Sequence, residues 1–136
     1  MKAWIALLLA LSLPLTAQAS EDKEAKEGAA PVVSYVTLVP ALVGNFGEGP
    51  KLKFYKADLS LRVTGADVEA KVKHHEPLIR NQLVMLFSQQ TEQAMAAPGA
   101  RETLRAEALK QVQEILTQEE GKPQVEDLLF NNLIIQ

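Results

Sequence analysis

The chain has 136 residues, 47% of them hydrophobic and 23% charged, with a formal net charge of −3 and no cysteine. That length holds one domain with a true core and is too short for two. The absence of thiols excludes disulfides and a lipid-modified N-terminal cysteine. Mild acidity without a basic stripe argues against nucleic acid as a partner and against a polybasic grip on anionic lipid.

The first nineteen residues read as an export leader. Lys2 supplies the positive start, and Ala3 to Leu13 is an uncharged, mostly apolar run of eleven residues. As a helix that run covers roughly 17 Å, against a hydrocarbon core of about 30 Å. Pro14 then ends the pattern, and Ala17-Gln18-Ala19 gives the small-x-small signature before Ser20. Cleavage is therefore expected between Ala19 and Ser20, which takes the net charge to −4 because only Lys2 is lost. The competing reading is a retained membrane anchor. Residues 20–31 hold four acids, two lysines and no large apolar side chain. Such a stretch cannot bury enough surface to offset its ordering entropy and reads as an acidic flexible linker.

The folded domain is expected over residues 32–136. Val32 to Val39 is rich in β-branched residues and is closed by Pro40, the pattern of an edge or near-edge strand. Gly44-Asn45-Phe46-Gly47-Glu48-Gly49-Pro50 is a dense turn signal, suited to a hairpin loop. From Lys51 to Val63 the period is two: Tyr55, Ala57, Leu59, Leu61 and Val63 alternate with Lys56, Asp58, Ser60 and Arg62. This predicts a strand with one face on the core and the other in water.

After Thr64-Gly65 the period changes. Ala66 to His75 predicts a short helix, and Pro77 suits the first turn of a second, with Ile79, Leu83, Leu86 and Phe87 on one face. Ser88 to Ala97 either continues that helix or forms a separate turn before Pro98-Gly99. A third helix is predicted from about Ala100 to Gln118, with Leu104, Ala108, Val112, Ile115 and Leu116 as its buried stripe, stopped by Gly121 and Pro123. Val125 to Ile135 reads as a C-terminal strand with Asn131 and Asn132 in its middle. The order β-β-α-α-α-β predicts an α+β domain, a small antiparallel or mixed sheet with helices on one face.

Little in the sequence points to chemistry. His74 and His75 are the only histidines, and adjacent residues on a helix diverge by about 100°, so they do not clasp one metal. Ser34, Ser60 and Ser88 lack a nucleophile-elbow context, and no phosphate-binding Gly-Lys-Ser/Thr occurs. Glu119-Glu120 and Glu126-Asp127 read as surface acids. No catalytic, cofactor-binding or metal-ligating residue is assigned, and the chain is expected not to be an enzyme. Asn131 and Asn132 are expected to serve the sheet, one facing solvent and one bonding a neighbouring loop.

Five segments in order resemble the FliL family of flagellar basal-body proteins. These are Leu52 to Val63 in the long strand, Glu76 to Leu83 with its Pro77 and Arg80, Ser88 to Thr91, Gly99 to Arg105 completed by Glu107, and Leu129 to the closing Gln136. The resemblance covers Tyr35 to Gln136. It implies a stomatin-type domain without cofactor, acting as an accessory of the flagellar motor in rotation, motility and hence chemotaxis. It implies association with flagellar stator and basal-body proteins and assembly into a homo-oligomer or ring, with no residues assigned to either contact. The implied location is the periplasm, at the inner-membrane basal body. Family members carry a spanning helix; with a cleaved leader here, membrane association runs through partners, and with a retained one the protein sits in the inner membrane. Two other classes stay open: a soluble periplasmic adaptor unrelated to the flagellum, and a small-ligand binding domain, which needs a concave apolar pocket with a few convergent polar groups.

Overall fold

A computed structural model describes residues 30–136. The leader, most of the linker, and the expected cleavage point at Ala17, Ala19 and Ser20 lie outside the described residues. Four strands, β1 (Val33–Thr37), β2 (Leu42–Phe46), β3 (Lys53–Thr64) and β4 (Asp127–Ile135), form one antiparallel sheet. Between β3 and β4 the chain makes α1 (Ala66–His74), α2 (Glu76–Ser88), the short α3 (Glu92–Ala96) and α4 (Ala100–Glu120). The domain is α+β, as the sequence predicts.

β3 organises the sheet. β4 pairs with it from Tyr55 to Arg62, which occupies one edge, so β1 and β2 share the other. They are one edge strand broken in the middle. Thr37 faces Ser60 while Leu42 faces Ala57, so five steps on the edge match three on β3. The break holds a cis Val39–Pro40 peptide and is fastened from both sides. Leu38 N–H donates to the Leu59 carbonyl at 3.1 Å, and Arg80 Nη1 from α2 donates to the Pro40 carbonyl at 2.8 Å.

The sequence reading had six elements and the structure has eight. β2 is the strand it lacked, because Gly44-Asn45-Phe46 reads as turn. Gly44 is there for a different reason. A Cβ at this position would lie 2.6 Å from the Tyr55 hydroxyl oxygen, so the glycine lets the Tyr55 ring pass over β2. The hairpin loop is correspondingly shorter and begins at Gly47. The second added element is α3, which settles the Ser88–Ala97 alternative in favour of a separate turn of helix.

The helices cover one face. On β3 the residues Tyr55, Ala57, Leu59, Leu61 and Val63 are all buried, joined by Leu42, Phe46 and Leu128 from the neighbouring strands. α2 contributes Ile79, Leu83, Leu86 and Phe87, and α4 contributes Leu104, Ala108, Val112 and Leu116. Ile115 is only partly buried, at the rim of the stripe. α4 ends where Gly121 takes φ 79°, a left-handed conformation that costs glycine little, and its N–H closes on the Thr117 carbonyl.

β4 changes phase in its middle. Asn132 faces Asp58 but Phe130 faces Leu59, leaving Asn131 as an extra residue, a β-bulge. Leu128 and Phe130 before the bulge therefore share a face with Leu133 and Ile135 after it, opposite Leu61, Leu59, Ala57 and Tyr55.

Candidate partner-binding surface

The register fixes which side chains share the uncovered face of the sheet. Directly opposed residues of an antiparallel pair lie on the same side. Lys56, Asp58, Ser60 and Arg62 of β3 are thus joined by Tyr35 opposite Arg62, Val43 opposite Lys56, Asn132 opposite Asp58 and Leu129 opposite Ser60. Val33 and Phe54 complete the face at its two ends. Tyr35 is 53% exposed and Val43 51%, and Val33, Phe54 and Leu129 are also exposed. Single exposed apolar residues need no explanation, but here five lie on one open sheet face, interleaved with charges of both signs.

The centre of this face departs from the sequence expectation. Ser60 belongs to the polar set of β3, expected in water, yet it is only 5% exposed. Thr37 Oγ1 lies 2.9 Å from its hydroxyl on one side, and Asn131 Nδ2 donates to it at 2.8 Å on the other. Three short polar side chains from β1, β3 and β4 thus form a row across the sheet. The bulge puts Asn131 there, so its partner is the central strand and not a neighbouring loop as expected; Asn132 is exposed on the open face.

The remaining polar residues weighed in the sequence hold elements together. His75 sits at the corner between α1 and α2, and its Nε2 donates to Glu120 Oε1 at 2.8 Å, tying that corner to the end of α4. That bond, with help from the Lys71 and His74 charges and against the effect of burial, holds the Glu120 carboxyl below the usual carboxylate value. His74 stacks edge-on against His75 at 4.9 Å. Asp127 accepts from Arg105 Nη1 at 2.6 Å, and Glu126 accepts from Thr64 Oγ1 and lies 3.5 Å from Arg62 Nε. Arg105 also pairs with Glu102, which raises the guanidinium pKa further and lowers that of Glu102. Arg105 thus donates to Glu102, Asp127 and the Leu128 carbonyl, while Glu107 accepts from Gln111 instead. Ser34 and Ser60 are in strands, and Ser88 ends α2. Among the described residues no group of three or more His, Cys, Asp or Glu side chains could hold a metal ion, and no helix is long and apolar enough to cross a membrane.

With the sheet, its open face and its covered face in place, comparison with known proteins is informative. The family model described as flagellar basal body-associated protein FliL matches residues 35–136, which takes in nearly all of the described domain. The chain belongs to the FliL family. A curated relative, the flagellar protein FliL of Aquifex aeolicus, is 29% identical over 99 residues. That alignment covers 73% of this chain and 59% of the relative, so the chain spans about three-fifths of the length of the curated relative it matches. In this FliL domain, the residues that carried the resemblance prove to be structural. Arg80 fastens the broken edge, Arg105 ties α4 to β4, and the closing Gln136 exchanges backbone hydrogen bonds with Phe54 at 2.7 and 2.9 Å. Sequence reasoning missed the exposed apolar side chains of the open face because they are spread over four strands, Val33 and Tyr35 on β1 and one on each of the others, and no local run of residues announces them.

Proposed function

We propose that this chain is a non-enzymatic accessory of the flagellar motor that associates with stator and basal-body proteins on the periplasmic side and supports rotation and motility. What carries the reading is the family match over residues 35–136. What supports an action by binding is the open sheet face with Val33, Tyr35, Val43, Phe54 and Leu129 exposed on it. A face that mixes aromatic and aliphatic side chains with charges has the composition of a protein contact, where anchors are apolar and the surround is polar. Self-association into a ring and a stomatin-type relationship belong to the same proposal. So does removal of the leader after Ala19, which leaves Ser20 as the new N-terminus and membrane association to the partners. Intact mass of the exported protein checks that cleavage; full-length chain in the membrane fraction would put the protein in the inner membrane instead.

The deciding experiment is crosslinking in flagellated cells with identification of the captured proteins, alongside swimming under load and stator retention in a deletion strain. Capture of the chain itself and of motor proteins, with impaired swimming, is the expected result. Normal swimming under load with no motor protein captured would end the flagellar reading and leave an adaptor of some other envelope complex.

A further inference from the structure

The two edges of the sheet are finished differently. On one side the edge strand is broken between Thr37 and Leu42, with Pro40 in the gap and Arg80 donating to its carbonyl. Breaks and prolines are common means of denying an edge to a further strand. On the other side β4 pairs with β3 alone, and from Leu128 to Ile135 it carries neither a charge nor a proline.

The ladder fixes which backbone groups of β4 face outward. Phe54 and Gln136 exchange hydrogen bonds at 2.7 and 2.9 Å, so the next pair along, Tyr55 and Ile135, is of the non-bonded kind. The N–H and C=O of Ile135 therefore point away from β3, and so do those of Leu133 two residues earlier. Before the bulge, Leu128 is outward as well: its carbonyl accepts from Arg105 Nη1 at 3.3 Å and its N–H donates to the Asp127 carboxylate at 2.8 Å. By the same alternation Phe130 is outward. Side chains thus close the edge at Leu128, whereas the outward groups of Phe130, Leu133 and Ile135 have no partner among the described residues.

Beside this edge lies a cleft of about 360 Å³, lined by Gly99, Arg101, Glu102, Arg105, Leu129 and Phe130. Leu129 belongs to the open face of the sheet and Phe130 to the covered face, so a cleft that touches both passes round the edge of β4. Its charges are uneven. Arg105 is balanced by Glu102 and Asp127. Arg101 lies 5.9 Å from the centre of the Phe130 ring and has no ion-pair partner among the described residues.

We propose that the free edge of β4 takes up an extended segment of another protein as an antiparallel fifth strand, with an acidic side chain of that segment beside Arg101. Main-chain bonds to Phe130, Leu133 and Ile135 hold the segment, and the cleft selects its charge. From Ile135 to Phe130 the edge spans about 15 Å, which five or six extended residues cover. A second copy of β4 is the poorer occupant. Between Leu128 and Ile135 it has no acid to offer Arg101, and its own bulge would interrupt the pairing a second time. The site is separate from the open face, and the inference stands whether or not the partner belongs to the motor.

The probe is a capped hexapeptide of alternating valine and threonine that ends in aspartate, compared with the same peptide ending in lysine. The purified protein is titrated with each by calorimetry, and amide hydrogen exchange is followed by NMR at saturation. Saturable binding of one peptide per chain is expected, about fivefold tighter for the aspartate form. The amides of Phe130, Leu133 and Ile135, rapid in the free protein, slow at least tenfold. Arg101→Glu reverses the order of the two peptides. Ile135→Pro abolishes binding of both, because it removes an outward donor and leaves the bonds to β3 in place. Circular dichroism checks that this variant is folded; if it is not, the order of the peptides in Arg101→Glu decides. No saturable binding, binding that leaves the three amides unprotected, an unchanged order in Arg101→Glu, or binding kept by folded Ile135→Pro each overturns the proposal. So does slow exchange of the same amides without peptide in a dimer that forms as concentration rises, which would make a second copy the occupant.

Discussion

The two faces of β3 are built from the same twelve residues and obey different rules. On the covered face Leu59, Leu61 and Val63 are fully buried and meet helices whose stripes are apolar throughout. On the open face Lys56, Asp58 and Arg62 alternate with them, and only Ser60, at the centre, is buried. The covered face is apolar but for the Tyr55 hydroxyl and so specifies the fold. The open face carries mixed chemistry that folding does not require, which leaves it free to be shaped by a partner. Ser60 marks where the two rules meet, since a residue on the open face has been drawn into the structure by its cross-strand neighbours.

That contrast can be broken by substitution. The largest effect is expected from Leu59→Asp, which places an unpaired carboxylate at the centre of the covered face; the loss, on the order of 5 kcal/mol, matches the whole stability of a small domain. Far-UV circular dichroism should show an unfolded chain at room temperature. Next come substitutions at Ser60. Read as a solvent-facing residue, Ser60→Asp should be nearly silent, but with its hydroxyl between Thr37 and Asn131 it should cost about 3 kcal/mol, and Ser60→Ala about 1 kcal/mol. Urea melts of the two variants measure this directly, and a silent Ser60→Asp would return the whole open face to solvent.

A smaller effect belongs to the corner clamp. Glu120 has a folded-state pKa below its ordinary 4.5, so its bond to His75 contributes stability above about that pH and loses it as the pH falls through the lowered value. Glu120→Gln should flatten the acid limb of a plot of melting temperature against pH, lowering the melting temperature slightly at neutrality and leaving it unchanged below the lowered value. An unchanged acid limb would show that the His75 contact contributes nothing to the fold. The smallest effect on stability is expected from Tyr35→Arg on the open face, within about 0.5 kcal/mol. Its consequence lies elsewhere, in lost capture of motor proteins at unchanged melting temperature. If Tyr35→Arg and the parent capture the same proteins equally well, the open face is not the contact.

What could be read from the residues divides along the same line. The alternation of β3 and the stripe of α4 were legible because each buries a regular set of side chains against a continuous surface. β2 was not, because Gly44 has the signature of a turn and its reason, the ring of Tyr55, lies eleven residues away on the next strand. The burial of Ser60 depends on Thr37 and Asn131, twenty-three and seventy-one residues distant. The clamp from His75 to Glu120 spans forty-five. Periodicity reports what one element does with its own face. Pairings between elements, and a surface assembled from several strands, leave no local trace.

The bulge in β4 has a bearing on how this chain tolerates changes of length. Removing one residue from a strand normally turns every following side chain to the opposite face. Leu128 and Phe130 already lie one step out of phase with Leu133 and Ile135, and Asn131 is the residue that absorbs the step. Deleting Asn131 alone would leave all four on the covered face in unbroken alternation and keep every other pairing of β4 with β3, at the expense of the bond to Ser60. Deleting any residue between Leu133 and Ile135 would instead misdirect the side chains that close the sheet against Tyr55. Natural single-residue gaps in β4 among relatives are therefore expected to gather at Asn131 and to be accompanied by changes at Ser60 and Thr37.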